Sequence, residues 1–203
     1  MANTNAPFGI RPYAYRSGAP YNGAVRTYYV PVGNGTALYF GDPVILIHNS
    51  SDGNGVQTVE IATAGTTNTT LTYAILGSFA GISNNAGTTT IPLLQSATPY
   101  LAASTAAYIY VADDPTLLYV AQEDSVGGAL VSGNVGQNVP LVAGSGSTVT
   151  GQSGWQLQSQ TVGTTAYQMR LVQALQESDN AIGTNCRWLC YINNHPWTQT
   201  TGI

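Results

Sequence analysis

Few residues in this chain could do acid–base, nucleophilic or metal chemistry. Asp113 and Asp114 are adjacent carboxylates, followed by Pro115. A glycosidase could use such groups as acid and base. Neighbours in sequence point in different directions, however, and Asp before Pro suits a turn. Glu123-Asp124 could join Asp114 and loop carbonyls around calcium, although no D-x-D-x-D-G loop is present. A Ser-His-Asp triad needs a histidine, and only His48 and His195 exist. There is no G-x-S-x-G elbow, and no lysine to complete a phosphate loop. Cys186 and Cys190 flank Trp188. On a strand they share a face about 13 Å apart, too far for a disulfide. They also lack the two further ligands of a zinc site. Buried thiols of a protein folding in a reducing cytoplasm are expected. The sequence therefore predicts no catalytic, cofactor or metal site.

Aromatic residues offer more. Thirteen tyrosines and three tryptophans sit in a background rich in Thr, Asn and Gln. Tyr and Trp combine an apolar face with a polar tip, which suits protein contact or sugar stacking. Tyr13, Tyr15, Tyr21, Tyr28 and Tyr29 crowd the first thirty residues, so this region is the expected contact surface.

The elements that would position these residues are strands. Helix formers are scarce, and the best helical stretch, 93–105, contains Pro99. β-branched and aromatic runs bounded by turn residues predict strands at 24–30, 44–48, 57–62, 71–82, 107–111, 116–123, 138–143, 165–175 and 187–192. Segments 107–111 and 116–123 are expected to form a hairpin. About nine strands separated by turns indicate an all-β fold, an antiparallel β-sandwich or jelly-roll-like body. Residues 1–23 carry Pro7, Pro12 and Pro20 and are expected to form an extended N-terminal arm, because proline lacks a ladder donor. Residues 24–203 form the β-rich body. A long Gly/Ser/Thr-rich loop is expected at 144–165, and a shorter polar tip at 83–90.

Composition excludes further classes. Only 7% of the 203 residues are charged and the net charge is −4, against about 25% charged residues in ordinary domains. Thr, Asn, Ser and Gln supply 66 residues instead. Five arginines cannot neutralise a run of phosphates, so nucleic-acid binding is not expected. No apolar run is long enough for a membrane helix. The opening residues 1–7 have neither the basic nor the apolar region of a signal peptide.

Several stretches together resemble the head decoration, or capsid cement, proteins of tailed bacteriophages. They are Asn5-Ala6-Pro7-Phe8-Gly9-Ile10-Arg11-Pro12, Gly18-Ala19-Pro20-Tyr21-Asn22-Gly23 and Ala37-Leu38-Tyr39-Phe40-Gly41-Asp42-Pro43-Val44. Val111-Ala112-Asp113-Asp114-Pro115, Gly136-Gln137-Asn138 and Trp188 with Ile192-Asn193-Asn194-His195 continue the series. The resemblance implies a virion structural protein, not an enzyme. It would bind the major capsid protein, stabilise the DNA-filled head from outside, and assemble in host cytoplasm. Copies of the chain would associate as a dimer or trimer. Phe8, Ile10, Arg11, Tyr13, Tyr15 and Tyr21 are the expected contact residues of the arm. A carbohydrate-binding β-sandwich and a tail- or fibre-associated virion protein are the alternatives, the latter including a glycan-cleaving protein using Asp113, Asp114 and Glu123.

Overall fold

The runs Val44-Ile45-Leu46 and Ile75-Leu76 do not alternate as a strand with one wet face would. Such runs suit strands buried on both faces. The computed structural model describes residues 3–65, 73–83 and 99–199, and it shows what covers each face. Its strands, in chain order, are β1 (Arg11–Tyr15), β2 (Arg26–Val30), β3 (Pro43–Ser51), β4 (Gln57–Ile61), β5 (Ile75–Ser83) and β6 (Ala107–Ala112). They continue with β7 (Leu117–Gln122), β8 (Asn138–Val139), β9 (Leu141–Val142), β10 (Gln156–Leu157), β11 (Met169–Ala174) and β12 (Arg187–Ile192). The fold is all-β, with antiparallel sheets packed as a sandwich-like body.

One layer is a closed barrel in the order β2-β4-β3-β5-β6. Its pairings are antiparallel except for a parallel contact at Tyr29 and Thr58. Val30, Val44, Leu46, Val59, Leu76, Phe79, Ile109 and Val111 fill its interior. The other layer is a five-stranded antiparallel sheet in the order β1-β7-β12-β11-β8. Side chains alternate across a strand, so Ile45 and Ile75 turn outward from the barrel and meet the sheet's inner face. That face presents Leu117, Tyr119, Leu171, Trp188, Cys190 and Ile192. Both cysteines are free and buried, on either side of the fully buried Trp188.

Four expectations need correction. First, 107–111 and 116–123 are not a hairpin. β6 pairs with β2 and β5 in the barrel, whereas β7 pairs with β1 and β12 in the sheet. The Asp113-Asp114-Pro115 turn carries the chain from one layer to the other. Second, 138–143 is two strands, because Pro140 separates β8 from β9. Third, 3–23, the described part of the expected arm, is not apart from the body. Residues 3–10 run without regular structure, but β1 pairs with β7 and Ile10 is fully buried. Proline is tolerated because β1 is an edge strand with a register shift just after Pro12. Fourth, 144–165 is a loop only as far as Trp155, where β10 and a 3-10 turn at Ser159–Thr161 follow, and the loop is packed against the body. The segment holds buried Ser153, Trp155 and Leu157, and Phe40 exchanges backbone hydrogen bonds with Gly151 and Ser153. Its glycines allow backbone to touch backbone: a Cβ on Gly144 would lie 2.1 Å from the Gly154 carbonyl oxygen. The expected tip at 83–90, beyond Ser83, and the first parts of 71–82 and 93–105 lie outside the described residues.

Candidate functional site

The expected contact residues do not form one surface. Phe8 and Ile10 would share a face in a regular strand. Gly9 lies between them with φ +75°, a left-handed conformation that glycine adopts without strain. The alternation breaks there. Phe8 packs on the sheet's outer face with Val120, Leu175 and Leu189, while Ile10 enters the core between the layers. Ile10 is therefore corrected from contact residue to core residue. Arg11 is exposed and lies 4.9 Å above the Phe8 ring. Tyr13 is 49% exposed. Tyr15 and Tyr21 pack against the core with ring centroids 6.3 Å apart. Their hydroxyls donate to Asn22 Oδ1 and the Ala24 carbonyl respectively. Burial, with Tyr15 and Asp113 adding to it, pushes the Tyr21 phenol up to about 12. Tyr28 is also removed from the expected cluster, being buried with its hydroxyl on Asp113.

Phe8, Arg11 and Tyr13 remain together, and they line a groove of about 600 Å³ on the sheet's outer face. Its floor is apolar, formed by Val120 and Leu175. Gln122 fixes the segment that forms one wall: it accepts from the Ala6 amide at 2.9 Å and donates to the Thr4 carbonyl at 2.9 Å. The opposite wall carries Arg187, paired with Glu177 at 3.0 Å and Asp179 at 2.6 Å. Leu175, Glu177, Asp179 and Arg187 escaped the sequence reading, because nothing local shows that the β11–β12 connection meets residues 3–13. The groove offers apolar area, hydrogen-bonding groups and exposed guanidinium, so it is equipped to bind.

The candidate chemical groups are dispersed. Asp114 and Glu123 stand beyond opposite ends of β7, whose length alone is about 17 Å. The two carboxyls of a glycosidase lie about 5–9.5 Å apart, so this set is not assembled, and the same separation rules out a shared calcium. Asp114 instead closes its own turn by accepting from the Thr116 amide and hydroxyl. Glu123 is fully buried and accepts from the Leu130 amide at 2.5 Å. Asp124 accepts from the Ser159 amide and hydroxyl. His195 is buried too; its Nδ1 accepts from the Trp197 amide at 3.2 Å, so Nε2 carries the proton and donates to the Leu76 carbonyl. Burial holds its pKa below the usual imidazole value. Burial also pushes the Cys186 thiol up to about 11 and Cys190 further, which leaves both un-ionised at neutral pH. No protein-family model, no curated protein and no solved structure matches the chain.

A second cavity, of about 410 Å³, is bordered by Tyr39, Asp42, Trp155 and the 143–146 backbone. Asp42 is buried; one carboxylate oxygen accepts from the Tyr39 amide at 2.8 Å and the other has no hydrogen-bond partner. Burial raises its pKa to about 6, above the unfolded value of about 3.9. The folded chain thus holds this proton more tightly, and the associated stability is present below about pH 4 and lost as pH rises through about 6. Thermal melts should show wild type losing stability relative to Asp42→Asn over that interval. A difference that stays constant with pH would contradict the assignment.

Proposed function

We propose that the chain is a structural protein of a tailed-phage virion, a cement protein seated outside the head shell and bound to the major capsid protein. The observation that carries this reading is how the stretches on which the resemblance to decoration proteins rests meet. Gly9 and Gly41 are in backbone contact, with the Ile10 amide donating to the Gly41 carbonyl at 2.8 Å. Ser78 on β5 donates to the Ile10 carbonyl at 2.6 Å. Asp113 receives Trp197, two residues beyond His195. Stretches far apart in sequence thus act as joints of one body, which supports a resemblance extending over the whole fold rather than a shared short motif. A low-charge β body with a preformed outer groove also suits a protein bound in many copies to a lattice. Neutral edges would then be covered by the shell or by neighbouring copies.

In purified virions the chain should be near-equimolar with the major capsid protein, or a simple fraction of it, by gel densitometry. A handful of copies per particle would place it in the tail or portal region. Complete absence from virions would remove the reading. A second reading, glycan binding, draws on one observation: the Tyr29 and Tyr108 rings lie 5.4 Å apart beside Asp52, which accepts from the Tyr108 hydroxyl. Binding on a glycan array that Tyr29→Ala abolishes would favour it over the cement role.

A further inference from the structure

Four of the chain's five cations gather on one side of the body. Along β12, Trp188, Cys190 and Ile192 enter the core, so Arg187, Leu189 and Tyr191 alternate onto the sheet's outer face. Arg187 and Arg11 line the groove there. Arg16 lies 4.0 Å from the Tyr191 ring centroid, and Arg170 lies 5.8 Å from the same centroid. The fifth cation, Arg26, is elsewhere, beside Asp113.

Nine carboxylates are available in the chain, yet these arginines use few of them. Arg187 is neutralised by Glu177 and Asp179. Among the described residues, Arg11, Arg16 and Arg170 form no ion pair. Each rests on an aromatic ring instead, Arg11 on Phe8 and the other two on Tyr191. Arg170 is further held by Asn138, which accepts from its Nε at 2.9 Å, and by the Tyr191 hydroxyl. A guanidinium resting on a ring keeps N–H groups free for a carboxylate, and its order is set before binding. Two such cations around one tyrosine, without a counter-charge, are poised for an anionic partner. Between them and Arg11 runs an apolar strip that includes Val120 and Leu189.

The geometry points to this outer sheet face as a docking surface for an extended acidic segment of a partner protein. Arg16 and Arg170 receive its carboxylates around Tyr191, Arg11 receives another at the groove, and its apolar residues lie on the Val120–Leu189 strip. The inference deepens the proposed shell contact by giving it a chemistry, and rests on that reading only for which protein supplies the segment. Carboxylates spaced by apolar residues match the surface better than a polyphosphate does. Three arginines without an ion pair are too few to neutralise a run of closely spaced phosphates.

The test uses the full chain and a fluorescein-labelled peptide of alternating Glu and Val, read by anisotropy. Binding is expected, weakening with added salt as exposed charges are screened. Arg16→Gln with Arg170→Gln should reduce affinity roughly tenfold or more, the effect of losing hydrogen bonds to charged groups. Should loss of the Asn138 contact impair folding, Arg11→Gln with Arg16→Gln changes only exposed side chains and should show the same direction. Equal binding of a peptide with Ser in place of Glu, or unchanged affinity of the folded variants, would overturn the proposal. So would tighter binding of an oligothymidylate strand. Peptide binding with absence from virions would remove the cement role and leave the surface standing. Virion attachment unaffected by the arginine variants would do the reverse.

Discussion

A chain lacking residues 1–15 is expected not to fold, rather than to fold and merely lose its partner. The truncation removes all of β1, which covers one edge of β7. It also removes Ile10, which is fully buried between the layers. Truncating a buried Ile to Ala alone costs about 2–5 kcal/mol, against a total stability of about 5–15 kcal/mol for a native domain. Polar losses add to this. Ser78, the Gly41 carbonyl and both ends of the Gln122 amide lose partners supplied by residues 4–10. Unsatisfied buried groups cost about 1–3 kcal/mol each. Far-UV circular dichroism and urea titration check this, with loss of a cooperative transition expected. Gly9→Ala is the fine-grained companion: its Cβ would lie 2.1 Å from the Gly41 carbonyl oxygen, at φ +75°. Phe8→Ala and Tyr13→Ala, on the outer face, should leave the transition largely in place. A truncated chain within about 2 kcal/mol of full-length stability would restore the free-arm description.

The difference between an arm and a stitched-in segment shows where sequence reading reaches its limit. β12 was legible over Arg187–Ile192 because its alternation faces one core and its ends are marked by turns. β3 and β5 were legible as apolar runs, although not as barrel strands. β1 was hidden because Pro7 and Pro12 argue against a ladder, and only its place at the sheet edge makes them harmless. The glycines at 144–154 read as a long loop, but they serve close backbone contact, which depends on what lies opposite. The groove was half legible: Phe8, Arg11 and Tyr13 come from one stretch, while its other wall comes from the β11–β12 connection. The arginine face was invisible for the same reason. Arg16 and Arg170 are 154 positions apart in the sequence, and Tyr191 brings them together.

Asp113→Ala should cause a large loss of stability, although Asp113 lies outside the groove. Asp113 stands in the turn that Asp before Pro predicts, but its side chain is buried and does more. It accepts from the Tyr28 hydroxyl at 2.6 Å and from Trp197 Nε1 at 3.1 Å. Arg26 stands 3.5 Å away, with its guanidinium 5.7 Å from the Trp197 ring centroid. Three parts of the chain thus converge on one carboxylate: the start of β2, the passage from barrel to sheet, and the C-terminal 3-10 turn Pro196–Thr198. Burial beside this carboxylate pushes the Tyr28 phenol well up, so it remains a donor at any ordinary pH. Because Arg26 is largely exposed, the ion pair adds little, and the loss comes mainly from the two abandoned donors. At about 1–3 kcal/mol each, Asp113→Ala should cost about 3 kcal/mol or more. That corresponds to a fall in Tm of about 6–12 °C for a chain of this size. Asp113→Asn keeps an acceptor and should lose less than half as much. If the carboxylate is the joint, Tyr28→Phe should cost little more once Asp113 is alanine, because contacting residues are not additive. Calorimetry of the two single variants and the double variant checks the coupling. Fully additive losses would mean that Tyr28 and Asp113 stabilise the junction separately.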